Sequence, residues 1–256
     1  MDLGLDGKRF VVGGASKGLG RAVAEGLVAE GARVLLVARD SDTLANVADG
    51  MRGKATTLAV DVADEDAAAR IAAAVDADLG GLDGVLINAG GPPGGQILDL
   101  SDEQWLAAYQ LLVGGPIRIL RALVPKIAGD GAIVFITSTS VRQPIENLDT
   151  SNVLRPGVAA MAKCLARELG PRIRVNSVAP GRFDTDRIKT LDAARAEARG
   201  ISVDQQRGEA ARAIPLGRYG EPAELARLAT FLLSPAASYV SGVSVQVDGA
   251  MVTAIP

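Results

Sequence analysis

The residues with the clearest chemical use stand where a first β-rich run, Arg9-Phe10-Val11-Val12, turns into a helical pattern through Gly13-Gly14-Ala15-Ser16-Lys17-Gly18-Leu19-Gly20. Glycines at a strand-to-helix turn let the backbone approach a pyrophosphate closely, and the first N–H groups and macrodipole of the helix attract its charge. A tight turn without a ligand uses glycines too, so the sign lies in the strand, turn and helix taken together, the helix continuing as RAVAEGLVAEG. A second β-rich run ends in Ala38-Arg39-Asp40, where such a fold brings the adenosine ribose. An acidic side chain there accepts from the ribose 2′-OH, whereas Arg39 and Lys17 pair with a 2′-phosphate, which favours NADP(H) over NAD(H). Asp40 has two readings: it faces the ribose, or it opens the next helix beside Ser41, the second fitting better.

The elements that must position these groups are legible as an alternation. RFVVGG, RVLLVAR, ATTLAVDV, LDGVLINAG, AIVFITS, RIRVNSVAP and VSVQVDG each have the apolar, β-branched character of a buried strand. Helix-length segments separate most of them, which predicts an α/β fold: a doubly wound parallel sheet of about seven strands with helices on both faces. Ser101 with Gln104 forms a capping-box pattern, and Gly170-Pro171 stops the helix ending in LAREL. No internal repeat or polar linker divides the chain, so residues 1–256 are expected to form a single dinucleotide-binding domain. Residues 184–220 depart from the alternation, either as a flap over the substrate pocket or as a solvated helical insertion.

Composition excludes several classes of function. The net charge of −3, with acidic and basic residues interspersed, offers no footprint for nucleic acid. There is no histidine, so histidine triads and histidine-based zinc sites are out, and no metal site is expected. Cys164 is the single cysteine and reads as a small packing residue. No unbroken apolar stretch reaches the roughly 20 residues of a membrane span, and the start lacks the apolar core of a signal peptide, so no membrane partner and a cytoplasmic location are expected.

Taken together, the glycine turn, Asp61-Val62 after the third run, Asn88-Ala89-Gly90 after the fourth, and Pro180-Gly181 followed by Thr185 resemble the short-chain dehydrogenases/reductases, as does PLGRYGEPAEL through FLLSPAASYVSG to VDGA. The likeness spans essentially the whole chain and implies a Rossmann-type fold. It implies cofactor contacts at Gly14, Ser16, Lys17, Gly18, Leu19, Gly20, Arg39, Asp61, Val62, Asn88, Ala89, Gly90, Pro180, Gly181 and Thr185, with Asp61 at the adenine and Thr185 at the nicotinamide carboxamide. Gly13 stands where the family usually has threonine, and Ala250 where a final glycine is common. A homo-oligomer, dimer or tetramer, is implied as well, with the helix after Ser151 and the last strand as contacts.

The resemblance departs at the chemical centre. The family's tetrad is asparagine, serine, tyrosine and lysine; here the corresponding positions hold Leu112, Ser138, Ser151 and Arg155. A serine hydroxyl at 151 has too high a pKa and too short a reach to replace a phenol unless water bridges. Arg155 keeps a positive charge that can bind ribose hydroxyls or steady an alkoxide, but it is a weak proton donor. Leu112 cannot anchor the family's relay water. Pro156 leaves two readings of the next helix: it starts at the proline, or near Ser151 with a local distortion. Tyr109 carries the right functional group but reads better as a core residue beside Trp105. Arg142, Glu146 and Arg182 read as surface charges on loops bordering the pocket, and an anionic substrate follows if Arg142, Arg155 and Arg182 converge. The expected activity is a divergent NADP(H)-dependent oxidoreductase moving hydride between nicotinamide and a small carbonyl or alcohol substrate. The alternative is an NADP(H)-binding sensor or assembly subunit without turnover.

Overall fold

The expected apolar runs become seven strands in the computed structural model, which describes residues 1–254: β1 (Arg9–Gly13), β2 (Arg33–Ala38), β3 (Ala55–Ala59), β4 (Leu82–Ile87), β5 (Ile127–Ile136), β6 (Ile173–Pro180) and β7 (Ser244–Val247). All pair in parallel in the order β3-β2-β1-β4-β5-β6-β7. Residues 255 and 256 of the expected domain lie outside the described residues. The helices are α1 (Gly18–Ala29), α2 (Ser41–Asp49), α3 (Ala67–Ala74), α4 (Asp102–Tyr109), α5 (Gly115–Leu123), α6 (Asp149–Glu168), α7 (Asp186–Arg199), α8 (Val203–Arg212) and α9 (Pro222–Leu233).

Side chains alternate across each strand, and helices cover both faces, which is why the strands read as unbroken apolar runs. Phe10, Val12, Val34 and Leu36 pack with Val23 and Leu27 of α1 and Leu225 and Leu232 of α9. Val11, Leu35 and Val37 face the other way, onto Ile71 of α3, Ile119 of α5 and Val158 of α6. Each such aliphatic side chain contributes about 1.5–3 kcal/mol by leaving water. The order of strands reverses between β1 and β4, so their carboxyl ends border the crevice where doubly wound sheets bind ligands.

Local signals explain the helix ends. The capping box between Ser101 and Gln104 is present at α4. Asp40 accepts from the Thr43 N–H at 2.8 Å as the N-cap of α2, which decides between its two readings. The helical run 102–126 passes through a π-turn at Gln110–Gly114. By length and composition alone it could cross a membrane, yet Leu112, Ile119, Leu120 and Leu123 on it pack into the sheet's core.

For α6, the reading with a start near Ser151 prevails: the helix opens at Asp149 and runs through Pro156. Its first turn is secured by the Asn152 amide, which accepts from the Ile145 N–H at 2.9 Å and donates to Ile145 O and Asp149 Oδ1, each at 2.8 Å. Ser151 and Arg155 therefore lie one turn apart on one face, both buried. Pro156 has no N–H for the carbonyl of Asn152, so Pro156→Ala restores a helical bond and should raise the unfolding free energy by about 1–3 kcal/mol in denaturant titrations. A fall in stability would show that the proline is needed to shape the turn around Arg155.

Candidate active site

The floor of the cleft is made where the β1 turn meets the end of β4. Asn88 Nδ2 donates to Gly13 O at 3.2 Å, and a β-carbon on Gly13 would stand 2.6 Å from the Asn88 carbonyl oxygen. That contact accounts for glycine at this position. Gly14 and Gly18 adopt φ of +60° and +59°, conformations that favour glycine. Gly20 leaves no room for a side chain against the Gly14 carbonyl, so α1 starts directly behind the turn. Across the slot from Gly18 stands Thr185, whose Cγ2 would lie 3.5 Å from a β-carbon on that glycine. Thr185 arrives there because Gly181 donates to Val247 O at 2.9 Å and packs so tightly on Asp248 that no side chain fits.

At the adenosine end, Lys17 is exposed and has no ion-pair partner among the described residues, and the Arg39 side chain is 78% exposed. Among the described residues only Asp61, at 3.7 Å, pairs with Arg39; its other oxygen accepts from Ala63 N at 3.0 Å. Val62 lines a pocket with Gly13, Val37, Asn88 and Ala89. Ser16 and Leu19 are half-buried in the turn, Pro180 precedes Gly181 at the end of β6, and nothing stands within 4 Å of a β-carbon on Gly90. A backbone turn without side chains, an opening beside Asn88-Ala89-Gly90 and two available cations fit a phosphorylated dinucleotide.

The other half of the cleft lies after β5. Ser138 is half-buried and caps a single 3-10 turn, its Oγ accepting from Ser140 N at 3.1 Å, so its own proton remains free to donate. Ser151 has the spacing expected of it, but its hydroxyl is only 4% exposed and lies 3.0 Å from Ser140 Oγ. It stitches α6 to the turn after β5 rather than facing the cleft. Arg155 is 9% exposed; its Nη1 donates to Ile136 O at 3.0 Å and Thr137 O at 2.7 Å, directly behind Ser138. Burial first, and then the positive charge of Arg187, hold the Arg155 pKa down to about 10, so the guanidinium is still charged at neutral pH.

Arg187 is the residue that sequence reasoning missed. Its guanidinium occupies the place where a side chain on Gly91 would stand, so it lies over the loop that follows Asn88-Ala89-Gly90. Thr150 at the start of α6 fastens the same loop by donating to Pro93 O at 2.6 Å. A signal did exist: a cation in the first turn of α7, just after its N-cap Thr185, opposes the helix macrodipole.

Several expectations are corrected. Arg142 is exposed and Arg182 is taken up elsewhere, so the two do not converge with Arg155. Tyr109 is 43% exposed rather than packed in the core, because α4 buries only Ala108. Cys164 is exposed, since it lies off the face of α6 that buries Ser151, Arg155, Val158 and Ala162. Glu146 is exposed as expected.

The charged excursion after β6 is clasped at its base. Phe183 and Gly220 form a parallel bridge, with Asp184 N donating to Gly220 O at 2.8 Å and Gly220 N to Arg182 O at 2.9 Å. Inside it, the fully buried Asp192 pairs with Arg182 and accepts from Tyr219 Oη at 2.8 Å. Arg182 and Arg207 both lie over the Tyr219 ring, at 5.1 and 4.8 Å from its centroid. Burial and the bond to Asp192 push the Tyr219 pKa up, so its proton stays on oxygen.

Comparison with known proteins matches this geometry to oxidoreductases. The profile of a family described as enoyl-(acyl carrier protein) reductase matches residues 14–251. The chain is 30% identical over 252 residues to the 3-oxoacyl-[acyl-carrier-protein] reductase of Vibrio harveyi, covering 97% of this chain and 99% of that one. Among solved structures, L-sorbose reductase from Gluconobacter frateurii in complex with NADPH and L-sorbose superposes with a TM-score of 0.95 at 33% identity over the whole of both chains. The apo form of a short-chain oxidoreductase from Pseudomonas aeruginosa PAO1, described as containing an atypical catalytic center, superposes with a TM-score of 0.89 at 30% identity, covering 98% of this chain and 100% of that one.

Removing Asp192 leaves Arg182 and Arg207, both close to the Tyr219 ring, without their shared carboxylate. Asp192→Ala should cost about 2–4 kcal/mol, reduced from the fully buried case by the partial exposure of the arginines, whereas Tyr219→Phe should cost about 1 kcal/mol. Thermal unfolding and limited proteolysis check this. Cleavage of the Asp192→Ala protein no faster than wild type within residues 186–212 would show that the clasp does not hold the excursion.

Proposed function

Since the chain belongs to the short-chain dehydrogenase/reductase family of oxidoreductases, we propose that it is an NADP(H)-dependent reductase of a small carbonyl compound, working with the retained serine, Ser138, and with Arg155 in place of the family's lysine, without a phenol at Ser151. The observation that carries this reading is that Ser138 is half-buried at the end of β5 with its proton free, while the charged Arg155 guanidinium donates to the carbonyls of Ile136 and Thr137 just before it. NADPH, when bound, supplies the hydride. Lys17 and Arg39 hold the 2′-phosphate, the Gly14–Gly20 turn holds the pyrophosphate, and Asp61, Val62, Asn88, Ala89, Gly90, Pro180, Gly181 and Thr185 line the remainder. The NADPH complex of the similar L-sorbose reductase supports this choice of cofactor.

The chain's own residues then act on the substrate oxygen. Ser138 donates a hydrogen bond to the carbonyl, and as that oxygen becomes an alkoxide the guanidinium of Arg155 stabilises its charge. Arg155 does not give up its proton near neutrality, so the proton reaches the alkoxide from water. None of the three tyrosines replaces the missing phenol: Tyr109 and Tyr239 are exposed, and Tyr219 donates to Asp192. Leu112 is buried in the apolar core, so no amide holds a relay water there. Ser151, through Ser140, keeps α6 seated behind the reaction centre. The similar oxidoreductase with an atypical catalytic center supports a chemistry that departs from the usual set. We also propose that residues 184–220 form a flap over the substrate, and that exposed Val153 on α6 and the open edge of β7 belong to a homo-oligomer contact.

NADPH oxidation against a panel of ketones tests the reading. Ser138→Ala should lower kcat by about 100-fold or more, as loss of an oxyanion donor does. Tight NADPH binding with no oxidation of any carbonyl would replace the proposal with a binding role. A second measurement concerns cofactor choice: Arg39→Ala should weaken NADPH about tenfold or more while changing NADH binding little, as read by calorimetry. Equal losses for both cofactors would show that Arg39 does not touch the 2′-phosphate.

A further inference from the structure

Two guanidiniums have no carboxylate partner among the described residues: Arg155 on α6, and Arg187 over the Gly91 loop that Thr150 at the start of α6 fastens through Pro93 O. Arg155 is nine-tenths buried, and among the described residues only its Nη1 is engaged, by two backbone carbonyls. Arg187 lies over Gly91 with neither an ion pair nor a hydrogen bond among the described residues. The acids nearest to it in the chain are committed elsewhere: Asp184 to Arg207 at 2.9 Å, Asp186 to Lys189 at 3.6 Å, and Asp192 to Arg182 and Tyr219. Arg187 is exposed by area, yet its setting in the cleft desolvates it enough to lower its pKa, and its charge bears on Arg155.

Like charges brought together in a partly desolvated cleft repel, and the first turn of α7 adds the positive end of a helix dipole to the same place. Glycine at 91 is what admits the Arg187 head, since any side chain there would expel it. What offsets such an arrangement is an oxyanion, which a guanidinium grips through parallel N–H donors. Two sources of oxyanion meet in this cleft, the cofactor's phosphates and the substrate. The phosphates already have the glycine turn, Lys17 and Arg39, whereas Arg155 is tied to the carbonyls just before Ser138 and Arg187 lies over the loop that Thr150 of α6 fastens.

We propose that Arg155 and Arg187 form a carboxylate-binding pair, so that the substrate is an oxo acid whose carbonyl lies against Ser138. This names the substrate class of the reductase reading and rests on it for the carbonyl alone, because the anion site is measurable without turnover. The NADPH-saturated protein is titrated calorimetrically with pyruvate and with acetoacetate, each compared with its methyl ester. At least one of the acids should bind tenfold or more tighter than its ester. Arg187→Met should remove that preference while leaving NADPH affinity and melting temperature within error, and Arg187→Lys should keep part of it.

Equal binding of acid and ester, or no binding of either acid, would overturn the proposal. So would an Arg187→Met protein that loses NADPH affinity and keeps the acid preference, since Arg187 would then be a ligand of the cofactor's phosphates. Acid-selective binding without NADPH oxidation sustains the carboxylate site and removes the reductase reading; oxidation of NADPH by neutral ketones with no acid preference does the reverse.

Discussion

At the carboxyl ends of β1 and β4 two backbones approach so closely that side chains are excluded, and the rest of the cleft is hung on that contact. Asn88 reaches across to the Gly13 carbonyl, Gly20 brings α1 against the turn, and Gly18 leaves a slot opposite Thr185. The parallel sheet transmits the alignment outward, because β5 and β6 keep register with β4 and so place Ser138 and Thr185 on the same edge. Both faces of the sheet are packed by helices, and the apolar side chains beneath the turn hold it still. A nucleotide-binding turn is useful only when it is held in shape before the ligand arrives.

Charge is arranged on this frame by burial rather than by pairing. Arg155 is held by carbonyl dipoles alone, which satisfies two hydrogen bonds and neutralises nothing. Burying a cation without a counter-ion is costly, and the second guanidinium at Arg187 increases the local potential. The positive charge of Arg155 is therefore left without a carboxylate among the described residues. In the excursion after β6 the opposite holds: Asp192 is buried but satisfied by Arg182 and Tyr219, so the same residue types serve to fasten a segment. That segment buries few apolar side chains along α7 and α8, and its attachment is concentrated at the Phe183–Gly220 bridge and the Asp192 cluster. An element tied at its base and lightly packed along its length opens at lower free energy than the core.

Much was legible in the chain itself. The seven strands, their alternation with helices, the cap at Ser101 and the glycine turn follow from side-chain period and local backbone preference, which act over a few residues. Spacing also brought Ser138, Ser151 and Arg155 to neighbouring positions, since a helix that begins at Asp149 preserves the count through Pro156. Local patterns did not reveal which way the side chains point. Ser151 has the expected place, but its hydroxyl turns to Ser140, a partner contributed by the turn after β5. Tyr109 and Cys164 were misread because aromatic and thiol side chains are usually buried, and the orientation of α4 and α6 on the sheet overrode that tendency.

By itself, then, the sequence determined the doubly wound α/β fold and the glycine turn between the first strand and helix, and it carries leucine, serine and arginine at 112, 151 and 155, where the resemblance implies asparagine, tyrosine and lysine. Only the tertiary structure decided that Arg182 belongs to Asp192 and that Arg187, 32 residues beyond Arg155 in the chain, comes to bear on it. The reason is one of range. Strand and helix patterns are set by neighbours along the chain, whereas the partner of a long cationic side chain is set by whichever loops the sheet's carboxyl edge brings within its reach, and at Gly91 that was settled by a β-carbon that is absent.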